Sequence, residues 1–113
     1  YPIDIGSDNA EIGDSNISVI CENIQNSKVR TLKLIRNKLT DEGISKIIPF
    51  LGQVTTLNLS QNLLTENVLD ILYENKKYLG NVRAIILSQN KIIERKHKIK
   101  IDKLKKLEWN VSV

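Results

Sequence analysis

Three nine-residue segments of this 113-residue chain share one pattern, and their spacing constrains the fold more than any other feature. Each segment has aliphatic residues at its first, fourth and sixth positions and Asn at its ninth. The fourth positions, Leu32, Leu57 and Ile85, are separated by 25 and then 28 residues. A recurrence of this length is typical of one short strand followed by a helical return. The segments span residues 29–37, 54–62 and 82–90.

The alternation of aliphatic residues within each segment predicts a short strand with one buried face. The closing Asn has a mechanical explanation, because a carboxamide can bond the backbone N–H and C=O groups that a turn leaves unpaired. We therefore expect Asn37, Asn62 and Asn90 to form a ladder between successive turns and to be structural residues.

Apolar residues at helical spacing follow the first two segments, and each set predicts a helix. Thr40 or Asp41 is suited to cap the first helix, and Thr65 the second. Gly52 can end the first helix, and Pro49 predicts a bend or an early end before that. The apolar residues are Leu39, Ile44, Ile47, Ile48 and Leu51 in the first set, and Leu64, Val68, Leu69, Ile71 and Leu72 in the second.

The string Leu-x-Leu-x-x-Asn-x-Leu, followed by a helical return, resembles a leucine-rich repeat. The strand-plus-helix unit resembles the ribonuclease-inhibitor-like subclass, which includes the Ran GTPase-activating protein. Residues 39–43, Leu-Thr-Asp-Glu-Gly, are similar to that subclass's turn from strand into helix. The third copy departs from it, with Ile85 in place of Leu and a charged segment after Ile93. The resemblance implies an α/β fold, a short right-handed leucine-rich-repeat solenoid with a parallel sheet on its concave face and helices on its convex face.

The pattern also extends towards the end of the chain. Residues 104–110 fit the strand again, with Leu107 aligned on Ile85, which leaves room for only a short helix over roughly residues 94–101. The large Trp109 is suited to close the end of the core, since terminal repeats are atypical. The final edge strand is predicted from the alternation of Leu107, Trp109, Val111 and Val113.

At the start of the chain, residues 3–5 predict a first strand with Ile3 aligned on Leu32, and Asp8 or Asn9 takes the Asn position. Asp14 or Ser15 would cap a helix with its own apolar face. We therefore interpret residues 1–113 as a single leucine-rich repeat domain of about four repeats plus a closing C-terminal strand. The apolar face of that first helix consists of Ile17, Ile20, Cys21 and Ile24.

The composition points to an intracellular protein. A hydrophobic content of 41% suits one aliphatic core, and no apolar run approaches the ~18 residues that cross a bilayer. Cys21 is single and on an apolar helix face, which favours a buried thiol and a reducing compartment. We expect a cytoplasmic location. The alternative is a secreted effector acting in a host cell, because the Ile-, Asn- and Lys-rich usage suggests an AT-rich genome, such as that of a protozoan parasite or an intracellular bacterium.

Little in the sequence supports catalysis. His97 is the only histidine and lies in a Lys-rich run, where a surface position is expected. Cys21 and His97 are too isolated to make a metal-ligand spacing, and the glycines are scattered rather than grouped in a phosphate-binding loop. The sequence therefore predicts a non-enzymatic protein with no cofactor and no metal.

The candidate partner-binding surface is the outward face of the predicted sheet. Residues that flank the buried pair point outward because neighbouring side chains in a strand alternate. Ile35 and Ile86 are candidate anchors for a protein partner, and Lys33 and Arg36 supply polar orientation. Lys106 and Asn110 lie beside Glu108 in this alignment, with Asp4 and Gly6 extending the rows. The predicted partner-binding residues are Thr31, Lys33, Ile35, Arg36, Thr56, Asn58, Ser60, Ala84, Ile86, Ser88 and Glu108.

Charge is unevenly distributed and leaves a second hypothesis open. Residues 1–27 contain five acids and no Lys or Arg, whereas residues 91–106 contain eight bases and two acids. The basic segment could bind an anionic membrane or nucleic acid, although the absence of interleaved aromatic residues disfavours single-stranded nucleic acid. Its predicted patch is Lys91, Arg95, Lys96, Lys98 and Lys100.

The favoured function is a protein-protein interaction module that acts as a monomer on a protein partner of unknown identity. A rigid, ordered surface would lower the entropy cost of association. Regulation of a small GTPase or of actin is a further alternative, implied only by the resemblance of the fold.

Overall fold

The computed structural model of the chain describes residues 4–6, 13–25 and 29–113, and its architecture is mixed α/β. Within these residues, five short strands form one parallel sheet in which the strands stand in sequence order. A helix lies between each strand and the next along the chain. The predicted parallel sheet and helical connections are therefore confirmed. The strands are β1 Asp4–Gly6, β2 Thr31–Lys33, β3 Thr56–Asn58, β4 Ala84–Ile86 and β5 Asn110–Ser112, and the helices are α1 Ile17–Gln25, α2 Asp41–Ile47, α3 Asn67–Glu74 and α4 Lys98–Lys105.

Short 3₁₀ turns accompany three of the helices. Helix α2 ends at Ile47 and continues as the turn Ile48–Phe50, as the position of Pro49 predicted. Proline lacks an N–H and restricts the residue before it, so the regular hydrogen-bond ladder stops there. The other two turns are Asp14–Asn16 before α1 and Lys76–Leu79 after α3.

The core lies between the sheet and the helices. The fourth positions of the repeated segments, Leu32, Leu57 and Ile85, are 0% exposed and stand beside one another in the sheet. The helices contribute the other wall, and full burial of one such aliphatic side chain contributes about 1.5–3 kcal/mol. Of the predicted helical residues, only Ile71 stays partly exposed. The confirmed helical core residues are Ile17, Ile20, Cys21, Ile24, Ile44, Ile47, Ile48, Val68, Leu69 and Leu72.

The Asn residues form the predicted ladder. The Asn62 side-chain oxygen accepts the backbone N–H groups of Asn37 at 2.9 Å and Leu39 at 3.1 Å. The Asn90 oxygen does the same for Asn62 at 3.1 Å and Leu64 at 3.0 Å. The amide nitrogens of Asn62 and Asn90 each donate to one backbone carbonyl of the same unit and one of the preceding unit. The ladder satisfies buried backbone groups that would otherwise each cost about 1–3 kcal/mol.

The residue before each Asn of the ladder has left-handed backbone geometry. The φ angles are 58° at Arg36, 57° at Gln61 and 59° at Gln89. Side chains other than Gly and Asn rarely adopt this region, so each turn is sterically costly and persists because its surroundings hold it. The Asn bonds provide that restraint at the same place in each unit.

The alignment of the first strand was wrong by two residues. Ile5, not Ile3, pairs with Leu32, so the first period is 27 residues. Asp4 consequently stands beside Thr31 and Gly6 beside Lys33, rather than beside Lys33 and Ile35. The predicted Asn-like positions Asp8 and Asn9 lie outside the described residues.

The alignment of the last strand was wrong by four residues. Val111, not Leu107, pairs with Ile85, and Leu104 belongs to α4. The connecting helix is therefore Lys98–Lys105 instead of residues 94–101, and the period is 26 residues. The closing strand itself is confirmed. Both alignments were shifted by an even number of residues. Such a shift preserves the alternation of inward and outward side chains, so the aliphatic pattern of the strand fits both registers.

Acid-threonine bonds join successive units at the starts of their helices. The backbone N–H of Thr40 donates to Asp14 at 3.0 Å, and that of Thr65 donates to Asp41 at 2.9 Å; each Thr hydroxyl bonds the other oxygen of the same carboxylate. Thr40 does stand at the N-cap of α2, but its side chain makes no capping bond there. The Thr65 hydroxyl accepts the N–H of Asn67 at 3.2 Å, but the N-cap of α3 is Glu66, so Thr65 lies one residue before the predicted capping position. The two acids therefore link neighbouring units.

His97 makes the corresponding link in the third unit. Its Nδ1 accepts the backbone N–H of Ile93 at 3.1 Å, and its Nε2 lies 3.2 Å from a Glu66 oxygen. In the two earlier units an Asp carboxylate accepts the backbone N–H of the next unit directly. In this unit the His97 imidazole stands between the Glu66 carboxylate and the Ile93 N–H. The side chain is only 9% exposed, so the expectation of a surface histidine was wrong.

Candidate functional site

One face of the sheet carries side chains that stay accessible among the described residues. In β2, β3 and β4 the central residue is buried and both flanking residues are partly exposed, and in β5 the flanking residues are exposed. We call this surface the open face. It consists of Thr31, Lys33, Thr56, Asn58, Ala84, Ile86, Asn110 and Ser112.

The strand register arranges the open face in two rows. The first row runs through Thr31, Thr56, Ala84 and Asn110. The second row is Lys33, Asn58, Ile86 and Ser112. Because neighbouring strands in a sheet stand about 4.8 Å apart, four residues in a row span a surface comparable to a short peptide. The face is small, polar and mostly uncharged, with one cation and one large aliphatic side chain.

Several predicted site residues lie elsewhere. Glu108 belongs to the turn between α4 and β5, with a φ of 66°, and is not on the sheet. Ser60 is 8% exposed, so the prediction that it faces solvent was wrong. Ile35, Arg36 and Ser88 occupy the turns that follow their strands, at the edge of the open face.

Ser112 is the open-face residue that the sequence alignment missed. Once the register is set by Val111, Ser112 takes the place assigned to Glu108, and Asn110 stands beside Ala84 instead of Ser88. The sequence does contain a pattern that predicts this register. Val111 is an aliphatic residue between two polar ones, as are the central residues of Thr31–Lys33 and Thr56–Asn58.

The two candidate isoleucine anchors are only partly exposed. Ile35 and Ile86 are both half-buried, whereas Ile93 and Ile99, on the segment around α4, are 54% and 87% exposed. Ile86 remains the one large apolar side chain in the two rows. A half-buried isoleucine loses little rotamer entropy on binding, which suits an anchor.

Asn58 is held in a fixed orientation at the centre of the second row. Its side-chain oxygen accepts the N–H of Ser60 at 3.2 Å and the Ser60 hydroxyl at 2.5 Å. The oxygen is therefore engaged within the turn, and the amide nitrogen has no partner among the described residues. The arrangement presents the amide N–H donors of Asn58 beside Ile86.

Two of the five residues of the predicted basic patch, Lys98 and Lys100, pair with neighbouring acids. Lys100 lies 2.8 Å from an Asp70 oxygen and 3.7 Å from Glu66, and Lys98 lies 2.9 Å from Asp102. Hydrogen bonding to Asp70 raises the pKa of Lys100, and the bond between Lys98 and Asp102 raises the pKa of the lysine and lowers that of the acid. Lys91, Arg95 and Lys96 are exposed.

The described part of the chain contains no group of three or more His, Cys, Asp or Glu side chains that could hold a metal ion. None of its helices is both long and apolar enough to cross a bilayer. No model of a protein family matches this sequence, and neither does any curated protein.

Proposed function

We propose that this chain is a non-enzymatic protein-interaction module that binds a protein partner through the open face of its sheet. The observation that carries the proposal is that the flanking residues of every strand from β2 to β5 stay accessible. Parallel sheets usually have both faces covered, so an accessible face in this chain requires an explanation. A surface kept free for a partner provides one.

The chemistry of the open face favours a protein rather than a small charged ligand. It combines hydroxyl, amide and methyl groups with Ile86 and a single cation, Lys33. Such mixed polarity around an apolar centre is typical of protein interfaces. The row positions from β2 to β5 contribute neither a carboxylate nor an imidazole, the groups that most often transfer protons in enzymes, and β1 adds one Asp, Asp4, at the end of the first row.

We further propose that the fold is a leucine-rich-repeat solenoid with the open face on its concave side. The parallel strands in sequence order, the periods of 25 to 28 residues and the ladder through Asn62 and Asn90 support this proposal. In such a solenoid each unit contacts only its neighbours, and the resulting rigid surface lowers the entropy cost of binding.

The test compares the effect on binding of a substitution on the open face with that of a matched substitution elsewhere on the surface. The tagged chain is used to purify partners from its native cells, and candidate partners are then measured with purified proteins. Ile86→Asp should weaken the affinity by at least about tenfold, since it places a charge at the apolar centre of the interface. Ile99→Asp makes the same change at a residue that is 87% exposed in α4, and it should leave the affinity unchanged.

Circular dichroism of both variants shows whether the fold is kept. Equal affinity of the Ile86→Asp variant and the unaltered chain would show that the partner binds elsewhere. Asn58→Asp provides a second, polar probe of the same row, and its loss of the outward amide donor should also weaken binding.

A further inference from the structure

We propose that a second surface, a cationic pocket beside Trp109, binds an acidic protein segment that carries a large apolar side chain. The pocket has a volume of about 360 Å³ and lies where the chain enters β4 and β5. Three cations and three apolar residues line it: Lys76, Lys77, Arg83, Leu79, Leu107 and Trp109. We call it the Trp109 pocket. Its residues are distinct from those of the open face.

The cations of the Trp109 pocket are not neutralised. Within the part of the chain that the structure describes, no carboxylate pairs with Lys76, Lys77 or Arg83. This contrasts with Lys98 and Lys100 of the predicted basic patch, both of which contact acids. Lys76, Lys77 and Arg83 therefore keep their charge available to a ligand, and they differ from other exposed cations such as Arg95 and Lys96 in their position around an apolar pocket.

Aromatic rings and backbone carbonyls hold these cations in place without cancelling their charge. The Lys76 ammonium lies 4.1 Å from the centre of the Tyr73 ring, and that of Lys77 lies 5.1 Å from the centre of Tyr78. Arg83 donates from Nη1 to the carbonyls of Gly80 and Val82, at 3.1 and 3.0 Å. Its remaining guanidinium donors have no partner among the described residues. Cations ordered in this way lose less entropy when they bind an anion.

Two of the positive charges share one ring. Lys103 also lies 4.1 Å from the centre of Tyr73, so its ammonium and that of Lys76 are at most about twice that distance apart. Like charges within a Debye length of ~10 Å repel each other measurably at moderate ionic strength. An anion bound at the pocket would relieve this repulsion, which adds to its direct attraction to Lys76.

The apolar wall of the pocket selects among anions. Among the apolar lining residues, Leu107 is partly exposed, whereas Leu79 is fully buried and Trp109 is 6% exposed, so Leu107 supplies most of the hydrophobic surface that borders the cations. Inorganic phosphate and nucleic-acid backbones cannot use such a surface, and the largely buried Trp109 offers little ring area for base stacking. A peptide segment that places Glu or Asp next to Leu or Phe satisfies both parts of the pocket.

Trp109 is the only tryptophan of the chain, so its fluorescence reports on this pocket alone. The probe is a short synthetic peptide that alternates Glu with Leu and Phe, titrated into the full 113-residue chain with selective excitation of tryptophan. We expect a saturable change in emission. The same peptide with Ser in place of Leu and Phe should bind at least about tenfold more weakly, since it retains the charge and loses the apolar contact.

Matched charge reversals test the position of the site. Lys76→Glu with Lys77→Glu should raise the dissociation constant of the peptide by at least about tenfold, because two cations next to the ligand become anions. Arg95→Glu with Lys96→Glu makes the same change of net charge at two adjacent exposed residues of the basic segment. We expect that control to change the constant by less than about twofold, owing to screening over distance. Ile86→Asp should have no effect, which separates this site from the open face.

Equal weakening by the two double variants would overturn the proposal, because it would indicate non-specific attraction to a basic protein. Equally tight binding of the Ser peptide, of a single-stranded oligonucleotide or of phosphatidylserine vesicles would overturn the choice of ligand. If the Lys76→Glu, Lys77→Glu variant loses its fold by circular dichroism, amide chemical shifts of the unaltered chain decide instead. Peptide-induced shifts must then cluster at the residues that line the pocket, and shifts centred elsewhere would refute the site.

Discussion

The side-chain oxygen of Asn62 accepts the backbone N–H of Asn37 from the preceding unit, 2.9 Å away. The same oxygen accepts the N–H of Leu39, and the amide nitrogen donates to the carbonyls of Leu34 and Leu59. One carboxamide therefore joins two turns of the chain. Because these bonds are buried, water cannot take the place of the Asn62 side chain unless the structure opens locally.

Asn62→Ala should be among the most destabilising substitutions in this chain. It leaves two buried N–H groups without an acceptor, and the expected loss in the free energy of unfolding is about 3 kcal/mol or more. Asn67→Ala is the matched control, because Asn67 is exposed and its side chain has no partner among the described residues. Urea denaturation of both variants provides the comparison, and similar midpoints would contradict a structural role for the ladder.

Gly43 is required by the contact between α2 and Asp14. A Cβ atom at Gly43 would collide with the Asp14 carboxylate that accepts the Thr40 N–H. We expect Gly43→Ala to destabilise the protein by about 1–3 kcal/mol, as overpacking of a close contact does. At Gly52 a Cβ meets nothing within 4 Å, so Gly52→Ala should be neutral or slightly stabilising. Thermal unfolding distinguishes the two, and a neutral Gly43→Ala would mean that α2 and Asp14 move apart freely.

The register of β5 predicts that the same substitution affects the free energy of unfolding very differently at two adjacent residues. Val111 is 6% exposed and pairs with Ile85, whereas Ser112 is exposed on the open face. Val111→Asp buries an unpaired carboxylate and should reduce the free energy of unfolding by more than about 3 kcal/mol. Ser112→Asp should stay within about 0.5 kcal/mol of the unaltered chain. Chemical denaturation checks both values, and the reverse order would place β5 one residue out of register.

Cys21 should react slowly with alkylating reagents in the folded protein. It is 7% exposed, its sulfur lies 3.8 Å from the Lys46 carbonyl oxygen, and burial raises the pKa of its thiol. Because the thiolate is the reactive form, labelling by iodoacetamide at neutral pH should be at least about tenfold slower than in urea. Mass spectrometry of timed samples measures both rates, and equal rates would show that the helix α1 opens readily.

The raised pKa of Cys21 also fixes the sign of a pH effect. The unfolded chain loses the thiol proton at a lower pH than the folded chain does. The stability contributed by the protonated thiol is therefore fully present below the unfolded pKa and is lost as the pH rises through the folded pKa. Cys21→Ala should show a smaller fall in stability over this alkaline range, and a fall as steep as that of the unaltered chain would contradict the assignment.

The central units of this protein could be predicted from the sequence because several signals agreed there. Leu32 and Leu57 alternate with polar residues, Asn37 and Asn62 close each turn, and the apolar helical residues follow at a regular spacing. The end units carry fewer signals. With no Asn to fix the position, Leu107, Trp109, Val111 and Val113 satisfied a strand in more than one register, because a slip by an even number preserves the alternation of apolar residues.

The roles of single polar residues were less predictable than the strands. His97 looked like a solvent-exposed residue in a basic run, yet it joins Glu66 to the Ile93 N–H. Lys98 and Lys100 looked available for an anionic partner, yet they contact Asp102 and Asp70. Asp70 and Lys100 are 30 residues apart, and local sequence does not report a contact over that separation.

The sequence by itself determined the repeating unit of this protein, because alternation, helical spacing and a turn-closing Asn are local properties of the chain. Only the tertiary structure decided which residues of the end units face outward, which charges are neutralised and which remain available. Those outcomes depend on side chains that are distant in sequence and meet only when the units stack. The open face around Ile86 and the pocket beside Trp109 are both products of that stacking.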